Sequence, residues 1–478
     1  MQATREQRGT GGDESGLGFG RLLGLTIVGA LVPGSGLLIA GRRALGGIVL
    51  ATFISLSATL AILLWTGDAV DVAIAAAARP GALTAAGIGS ALVAVLWSLV
   101  IVGSHLALRR KRLRLTQQVL AGLLVAALCA AVTATGGEAA RYAFIQRDMV
   151  DHVFGNEPVP ATDPTAPSAT HPNTEPLQPP RLVARDPWRG TPHLNVLLLG
   201  SDAGPGRIGM RPDSLIVASI DTHTGNTVLI SLPRNLRNVP FPESSPLHDL
   251  HPHGYDCGDQ CLLNAVWRNV GEAHGDVLPG DRNPGLTATW QAVEATLGIE
   301  LDHYVLVNMR GFVDVIDALG GVTVDVHQPL VIGDPAAPTE VISPGVQHLD
   351  GRQALWFARV RQGYDDYDRM RRQRCLLGDL VDQANPARLV ARLPHLAASA
   401  MATIRTDIPR EELSAYAELA RRVKDARISS LAFTNAVIDT RDPDFGEIRR
   451  LTRRAIAATE APRRDPVSGP ADSLVDLC

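Results

Sequence analysis

Five arginines and four acidic residues recur in short clusters between Asn195 and Arg374. They are Asp202 in NVLLLGSD, Arg211 and Asp213 in RPDS, Arg234 in SLPRN, Arg359 and Arg361 in ARVR, and Asp365, Asp366 and Arg369 in DDYDRMRRQR. Guanidinium forks match phosphate oxygens two at a time, and carboxylates hold the divalent metals that phosphates also bind. A site mixing the two suits a metal-bridged diphosphate better than a protein surface or an uncharged sugar.

The elements that must position these groups can be read from patterning. Residues 194–199 form a near-continuous apolar run, which suits a strand covered on both faces, and Asp202 follows it. Asp213 precedes a second strand at 214–220. A third, at 226–232, follows the turn DTHTGN and leads into Pro233 and Arg234. Carboxylates and a cation at adjacent strand ends can converge in the crevice where α/β sheets bind ligands. Such residues also make ordinary turns, so each is weak singly. A helix at 366–383 would set Arg369, Arg372 and Gln373 on one face, continued by apolar Leu376 and Leu380. Its N-terminus adds positive partial charge beside them. The plain alternative is a salt-bridged surface helix, with Asp365 and Arg369 as an i,i+4 pair. Arg359 and Arg361 point the same way if their segment is extended.

Helices at 262–273, 287–297 and 311–319 alternate with strands at 303–308 and 322–326, after a long loop at 235–260. The fold class is therefore α/β, a three-layer α/β/α sandwich with a mixed central sheet. Residues 193–385 would form the catalytic domain. Residues 386–463, with helices at 386–402 and 410–423, would form a C-terminal helical part, and 464–478 a disordered tail.

An all-α transmembrane region precedes this domain. In a chain of 478 residues that is 46% hydrophobic, residues 44–65, 83–108 and 118–135 are apolar enough to span a bilayer. The stretch 22–40, broken by Pro33, Gly34 and Gly36, reads as a re-entrant hairpin or a kinked fourth span. The basic run Arg109, Arg110, Lys111, Arg112 and Arg114 belongs on the cytoplasmic side. That divides the chain into a cytoplasmic tail (1–21), the membrane region (22–136), a stem with a Pro-rich linker (137–192) and an extracellular domain. A multi-pass plasma-membrane protein without a cleaved signal peptide is expected. The net charge of −4 argues against a general nucleic-acid binder, and at 4% aromatics stacking platforms are few.

Cys129 falls in a span and reads as a small buried hydrophobe. Cys257, Cys261, Cys375 and Cys478 fall in an oxidising space; Cys257–Cys261 is the expected bridge, leaving Cys375 and Cys478. His248, His251 and His253 beside the first pair faintly suggest zinc, but the Pro- and Gly-containing surroundings favour a disulfide-closed loop. There is no GxSxG elbow, Walker loop, HExxH or dinucleotide fingerprint.

Taken together, NVLLLGSD, RPDS, SLPRN, LLNAVW, GIELDHYVLVNMRGFVDVIDALGGVTVDV, GVQHLDGRQALWFARVR and DDYDRMRRQR resemble the LytR-CpsA-Psr (LCP) family, over residues 193–383. The resemblance implies a phosphotransferase that moves a glycopolymer from a polyprenyl-diphosphate carrier to a peptidoglycan hydroxyl, with Mg2+ or Mn2+ as cofactor. It implies metal binding by Asp202 and Asp213, and diphosphate binding by Arg211, Arg234, Arg359, Arg361, Arg369, Arg372 and Gln373. Catalytic roles would fall to Asp213, Arg234, Arg361 and Asp366, with Asp365 completing the acidic pair of the last motif. The chain departs from the pattern at Asn235, where an Asp usually follows the arginine, and at Leu262, where a Lys is common. The prenyl tail would need an apolar groove, for which 313–319, 376–381 and 389–396 are candidates. The same groups would serve a lipid-diphosphate hydrolase with water as acceptor, and a non-enzymatic envelope regulator or scaffold is the third reading.

Overall fold

The computed structural model describes residues 19–66, 81–109, 114–154, 188–202, 210–334, 336–361, 365–383, 403–460 and 471–474, with Val72, Arg79 and Cys478. Its contacts divide into two units, Met1–Ala76 with Pro80–Arg147, and Ala77–Arg79 with Asp148–Cys478. The expected linker up to residue 187, most of the N-terminal tail, the centre of the basic run and the expected helix at 386–402 lie outside the described residues, while Trp188 at the linker's end is buried against Leu194 and Leu419 and so belongs to the domain.

In the N-terminal unit the interrupted apolar stretch folds as α1 (Phe19–Leu31) and α2 (Ser35–Ile39). Pro33 lacks the N–H that a continuing helix needs, and Gly34 turns the chain at φ +94°. A Cβ on Gly34 would lie 2.6 Å from the Gly46 carbonyl oxygen, so the turn packs closely only because both positions are glycine. The Ala30 carbonyl, left over where α1 ends, accepts from Trp97 Nε1 at 2.9 Å. At 13 residues α1 spans only ~20 Å of a hydrocarbon core ~30 Å thick. Three further helices, α3 (Arg43–Thr66), α4 (Ala82–Leu108) and α5 (Leu115–Val153), are long and apolar enough to cross a membrane. They contain the expected spans, and α5 runs on without a break through the expected stem.

The C-terminal unit is built on a seven-stranded sheet. In chain order its elements are β1 (His193–Ser201), β2 (Pro212–Asp221), β3 (Thr227–Leu232), α6 (Pro246–Leu250), α7 (Leu263–Ala273), α8 (Pro284–Leu297), β4 (His303–Asn308) and α9 (Met309–Leu319). There follow β5 (Val322–Val326), β6 (Leu330–Asp334), β7 (Ala337–Ile342), β8 (Gly345–Leu349), α10 (Gly351–Arg359), α11 (Asp366–Gln383), β9 (Ile404–Thr406), α12 (Leu413–Lys424), β10 (Ile428–Ala432), α13 (Phe445–Ala457) and β11 (Asp472–Ser473). The strand order β11-β10-β3-β2-β1-β4-β9 is mixed: β1 and β4 are parallel, as are β3 and β10, and the other neighbours are antiparallel.

Alternation along β1 decides the layers. Leu197 and Leu199 enter the main core with Val217, Ile230, Trp290 and Ile448, under α7, α8 and α13. Leu198 faces the other side, where Ile216, Leu229, Leu419 and Leu474 pack with α11 and α12. The α/β/α sandwich with a mixed sheet is thus the observed fold. A smaller core forms around the β5–β8 and β6–β7 pairs with α10 and α11, centred on Val322, Ile332, Phe357 and Leu376.

Two expectations on the C-terminal side need correction. The segment 386–463 is not only helical: Ile404–Thr406 and Ile428–Ala432 are strands of the central sheet. The tail is not disordered where it is described, since Asp472–Ser473 pair with β10 and Ala471 and Leu474 are buried. These pieces are too short to show a period, and partners distant in sequence fix them. Both disulfides form, Cys257–Cys261 and Cys375–Cys478.

Glu294 on α8 carries a testable pH signature. Burial raises its carboxyl from 4.5 to about 7, with the charges of Glu300 and Asp302 adding to this against a hydrogen bond from Leu301 N. Between those pH values the native state keeps a proton that the unfolded chain has lost, so stability falls as pH rises. The loss across the window is about 3 kcal/mol. Glu294→Gln should remove that slope, read as equal urea midpoints at pH 5 and pH 8 where the parent chain's midpoint drops.

Candidate active site

The ends of three strands and the start of one helix build the site. Asp202 follows β1, Asp213 opens β2, Arg234 follows β3, and Asp366 and Arg369 lie in the first turn of α11. Asp213 Oδ1 accepts from Arg234 Nη1 at 2.8 Å and from Asn264 Nδ2 at 3.3 Å. Arg234 Nε lies 3.3 Å from Asp366 Oδ1. Arg369 donates from Nε and Nη2 to the two oxygens of Asp366, at 3.1 and 2.9 Å, and from Nη1 to the Asp213 carbonyl at 2.8 Å. Two acids and two arginines therefore form one continuous network, with Arg369 only 4% exposed.

Burial pushes the Asp213 carboxyl up, but the Arg234 bond and charge, Arg369 and Asn264 outweigh it and hold the group below the usual carboxylate range. Burial lowers Arg234 and its two acidic partners more than restore it, so its proton is held more tightly than usual. Both groups are ionised at neutral pH. Both Asp366 oxygens are engaged by arginines, whereas Asp213 Oδ2 has no hydrogen-bond partner among the described residues.

The last carbonyls of α10 have no partner within their helix, and α11 supplies donors. Gln373 Nε2 donates to Ala358 O at 3.0 Å, and Arg372 Nη2 to Val360 O. Arg372 is buried, its guanidinium 5.9 Å from the centre of the Phe357 ring. It holds the turn that carries Arg359 and Arg361. The condition that the whole segment be extended is not met, since Arg359 ends a helix opened by the Asp350–Gln353 capping box and the chain turns extended only at Val360. Asp365 accepts from Asp368 N at 2.8 Å and so caps the start of α11; Arg369 pairs with Asp366 in place of the i,i+4 partner.

Beside this network a cavity of about 730 Å3 opens. Its polar rim is Asp202, Asp213, Arg359, Arg361, Arg369 and Gln373, and its interior is Leu198, Ile216, Val305, Phe312, Trp356 and Leu376. Of the expected stretches, 376–381 lines it through Leu376 and Leu377, whereas 313–319 contributes no lining residue and α9 reaches the cavity through Met309 and Phe312 instead; 389–396 lies outside the described residues. Arg234, Asp366 and Arg372 stand behind the rim as braces, and Arg211 is exposed and does not line the cavity, although its backbone N–H lies 3.4 Å from Asp202 Oδ1. Asn264 is the contributor that patterning missed: it is the polar position on an α7 face otherwise made of Leu263, Val266, Trp267 and Val270.

The LytR_cpsA_psr family model matches residues 166–447. The chain belongs to that family. It is 28% identical to the polyisoprenyl-teichoic acid–peptidoglycan teichoic acid transferase TagV of Bacillus subtilis over 51% of its own length and 56% of TagV's. It is 37% identical to the probable cell wall biosynthesis protein LcpB of Corynebacterium glutamicum, over 42% and 41% of the two chains. It thus spans little more than half of these curated relatives at most. The crystal structure of B. subtilis TagV aligns at TM-score 0.40 with 25% identity, covering 56% of this chain and 96% of that one.

Among the described residues no group of three or more His, Cys, Asp or Glu stands ready for a metal ion. Asp202 and Asp213 nevertheless border the same rim, and Mg2+ is commonly held by one or two carboxylates together with substrate phosphates and water. The donor set fits a magnesium ion that arrives with a diphosphate. It does not fit zinc, and the Cys257–Cys261 pair is a disulfide.

Proposed function

We propose that this protein is a membrane-anchored phosphotransferase that moves a glycopolymer from a polyprenyl-diphosphate carrier to a peptidoglycan hydroxyl. The observation that carries the reading is the juxtaposition of an apolar cavity with a rim of Arg359, Arg361, Arg369 and Gln373. Such a shape takes a prenyl chain inside and its diphosphate at the mouth. The name of its relative TagV, a teichoic acid transferase acting on peptidoglycan, supports the same class.

In this reading Arg361, exposed and with no ion pair to an acid among the described residues, meets the diphosphate first, and Arg359 and Arg369 complete the cationic rim. Arg372 and Gln373 keep the Arg359–Arg361 turn aimed at the cavity. The acceptor hydroxyl oxygen bonds to the polymer-side phosphorus, the bond from that phosphorus to polyprenyl phosphate breaks, and the hydroxyl proton leaves to a base at the rim. Fixed guanidinium groups neutralise the charge that develops there without having to reorganise. Asp366 is no candidate for the base, because arginines hold both of its oxygens. Asp213 Oδ2 is open to the cavity side, for the proton or for the metal. Asp202 and Asp213 would hold Mg2+, which when bound would draw charge from the phosphate oxygens. The basic run at 109–114, the three apolar helices and the two disulfides support a multi-pass plasma-membrane protein whose catalytic unit faces the outside.

Filling the cavity tests this. Val305→Trp should leave the fold intact and raise the KM for the lipid donor about tenfold or more, since each lost methylene contact is worth ~0.8 kcal/mol. Unchanged turnover in a folded Val305→Trp chain, with no polyprenyl phosphate found by mass spectrometry of co-purified lipid, would reject the lipid-carrier reading.

A further inference from the structure

We infer that Asn264 is a positioning residue that fixes which oxygen of Asp213 the reaction uses. The inference rests on the function proposed above and concerns a residue outside the arginine and acid clusters.

Asp213 can only accept at neutral pH, so the Asn264 group 3.3 Å from its Oδ1 has to be the amide NH2. Arg234 Nη1 reaches the same oxygen at 2.8 Å. Two donors on Oδ1 leave Oδ2 as the oxygen turned to the cavity. One donor would leave the carboxylate free to rotate about its Cβ–Cγ bond, and two from different directions fix it.

The two donors are also fixed to each other. Asn264 N donates to Arg234 O at 3.1 Å, and Leu263 N donates to Leu236 O at 2.9 Å. These are among the first N–H groups of α7, which have no partner within the helix. They zip the helix start onto the loop that leaves β3. Asn264 is 7% exposed and Leu263 fully buried, so this junction is part of the core and not a mobile edge. Arg369 adds a third restraint by binding the Asp213 carbonyl at 2.8 Å. The side chain of Asp213 is thereby held at a junction of β2, the β3 exit, α7 and α11, while one oxygen stays available.

The test uses the full chain in detergent micelles, a polyprenyl diphosphate bearing a sugar as donor, a muropeptide as acceptor, and release of polyprenyl phosphate as the readout. Asn264→Asp keeps the shape and replaces the donor by a repelling carboxylate; Asn264→Ser shortens it. Both should lower kcat by about 10- to 100-fold, the value of a hydrogen bond to a charged group, with the donor KM within about twofold of the parent. In an Asp213→Asn background the Asn264→Ser change should add nothing further, because its only route of action is gone. Equal kcat for parent and both variants overturns the inference and leaves the proposed function standing. So does a rise in KM at constant kcat, or loss of the folded melting transition in both variants. No polyprenyl phosphate release by the parent chain counts against the proposed function itself, and this inference falls with it.

Discussion

Replacing Arg369 by Met should cut donor turnover by a factor of about 100 or more and destabilise the C-terminal unit by roughly 3 kcal/mol. The guanidinium is 4% exposed and makes three hydrogen bonds, two to the Asp366 carboxylate and one to the Asp213 carbonyl. Met is close in length and fills the space, so the loss is of charge and donors rather than of packing. Asp366 would then keep only the Arg234 contact at 3.3 Å, and a partly buried carboxylate would have lost its main partner. Removing one member of a buried pair costs far more than the pair is worth against an apolar replacement of both, because the remaining charge stays desolvated. Arg371, two positions on, provides the control. Its Nη2 lies 3.6 Å from Asp368 Oδ1, with the two side chains 30% and 41% exposed. Such a pair contributes less than about 1 kcal/mol, and the other bond of Arg371, to the exposed His327, lies away from the cavity rim, so Arg371→Met should leave turnover nearly unchanged and lower the urea midpoint far less than Arg369→Met. Equal effects of the two substitutions would show that the Arg369 network is not the core of the site.

Breaking the Cys375–Cys478 disulfide should have the largest effect on stability alone. The bond joins residues 103 apart, and closing a loop of that size removes roughly 5 kcal/mol of unfolded-chain entropy in the simplest account. Measured losses for native bridges run from about 2 to 5 kcal/mol, so Cys478→Ser should lower Tm by roughly 5–10 °C. The bond does more than shorten the unfolded chain. It ties Cys478 to α11, where Leu474 packs against Gly378 so closely that any Cβ there would overlap it. His327 adds a second tether: its Nδ1 accepts from Arg371 at 3.2 Å, so the proton on Nε2 donates to Cys478 O at 3.0 Å. Cys257–Cys261 has a separation of only 4 and should contribute roughly 2 kcal/mol by the same reckoning. Thermal melts of the parent, Cys478→Ser and Cys261→Ser chains separate the two. A larger drop for Cys261→Ser would refute the ordering.

The parts of the fold that patterning captured are those whose period is local. The strands β1 to β5 were legible from apolar runs bounded by turn residues, and α9 from the stretch that stops at the left-handed Gly320. The membrane helices were legible from length and hydropathy. What escaped was set by partners far away. Strands β9 and β11 have 3 and 2 residues, too few to distinguish a period, and the β6–β7 hairpin carries Gly333 and Pro338 inside its strands, residues that weaken a strand pattern. Helix α10 was hidden because ARVR, with its arginines two apart, suits a strand equally well; the Asp350–Gln353 capping box was the available signal.

For the site, residue type and order along the chain determined which groups were candidates: cations that grip phosphates, acids that accept metals, and apolar runs that cross or line a membrane-like environment. Their division of labour was a tertiary decision. Asp365, Asp366, Arg369 and Arg372 stand within one short stretch, yet one caps a helix, two neutralise each other, and one props a neighbouring turn. Which oxygen or nitrogen remains available depends on the partners that packing brings within about 3 Å, and those lie up to 156 positions away in the chain. Hydrogen bonding is short-ranged and directional, so chemical potential could be read along the sequence while its allocation required the folded contacts.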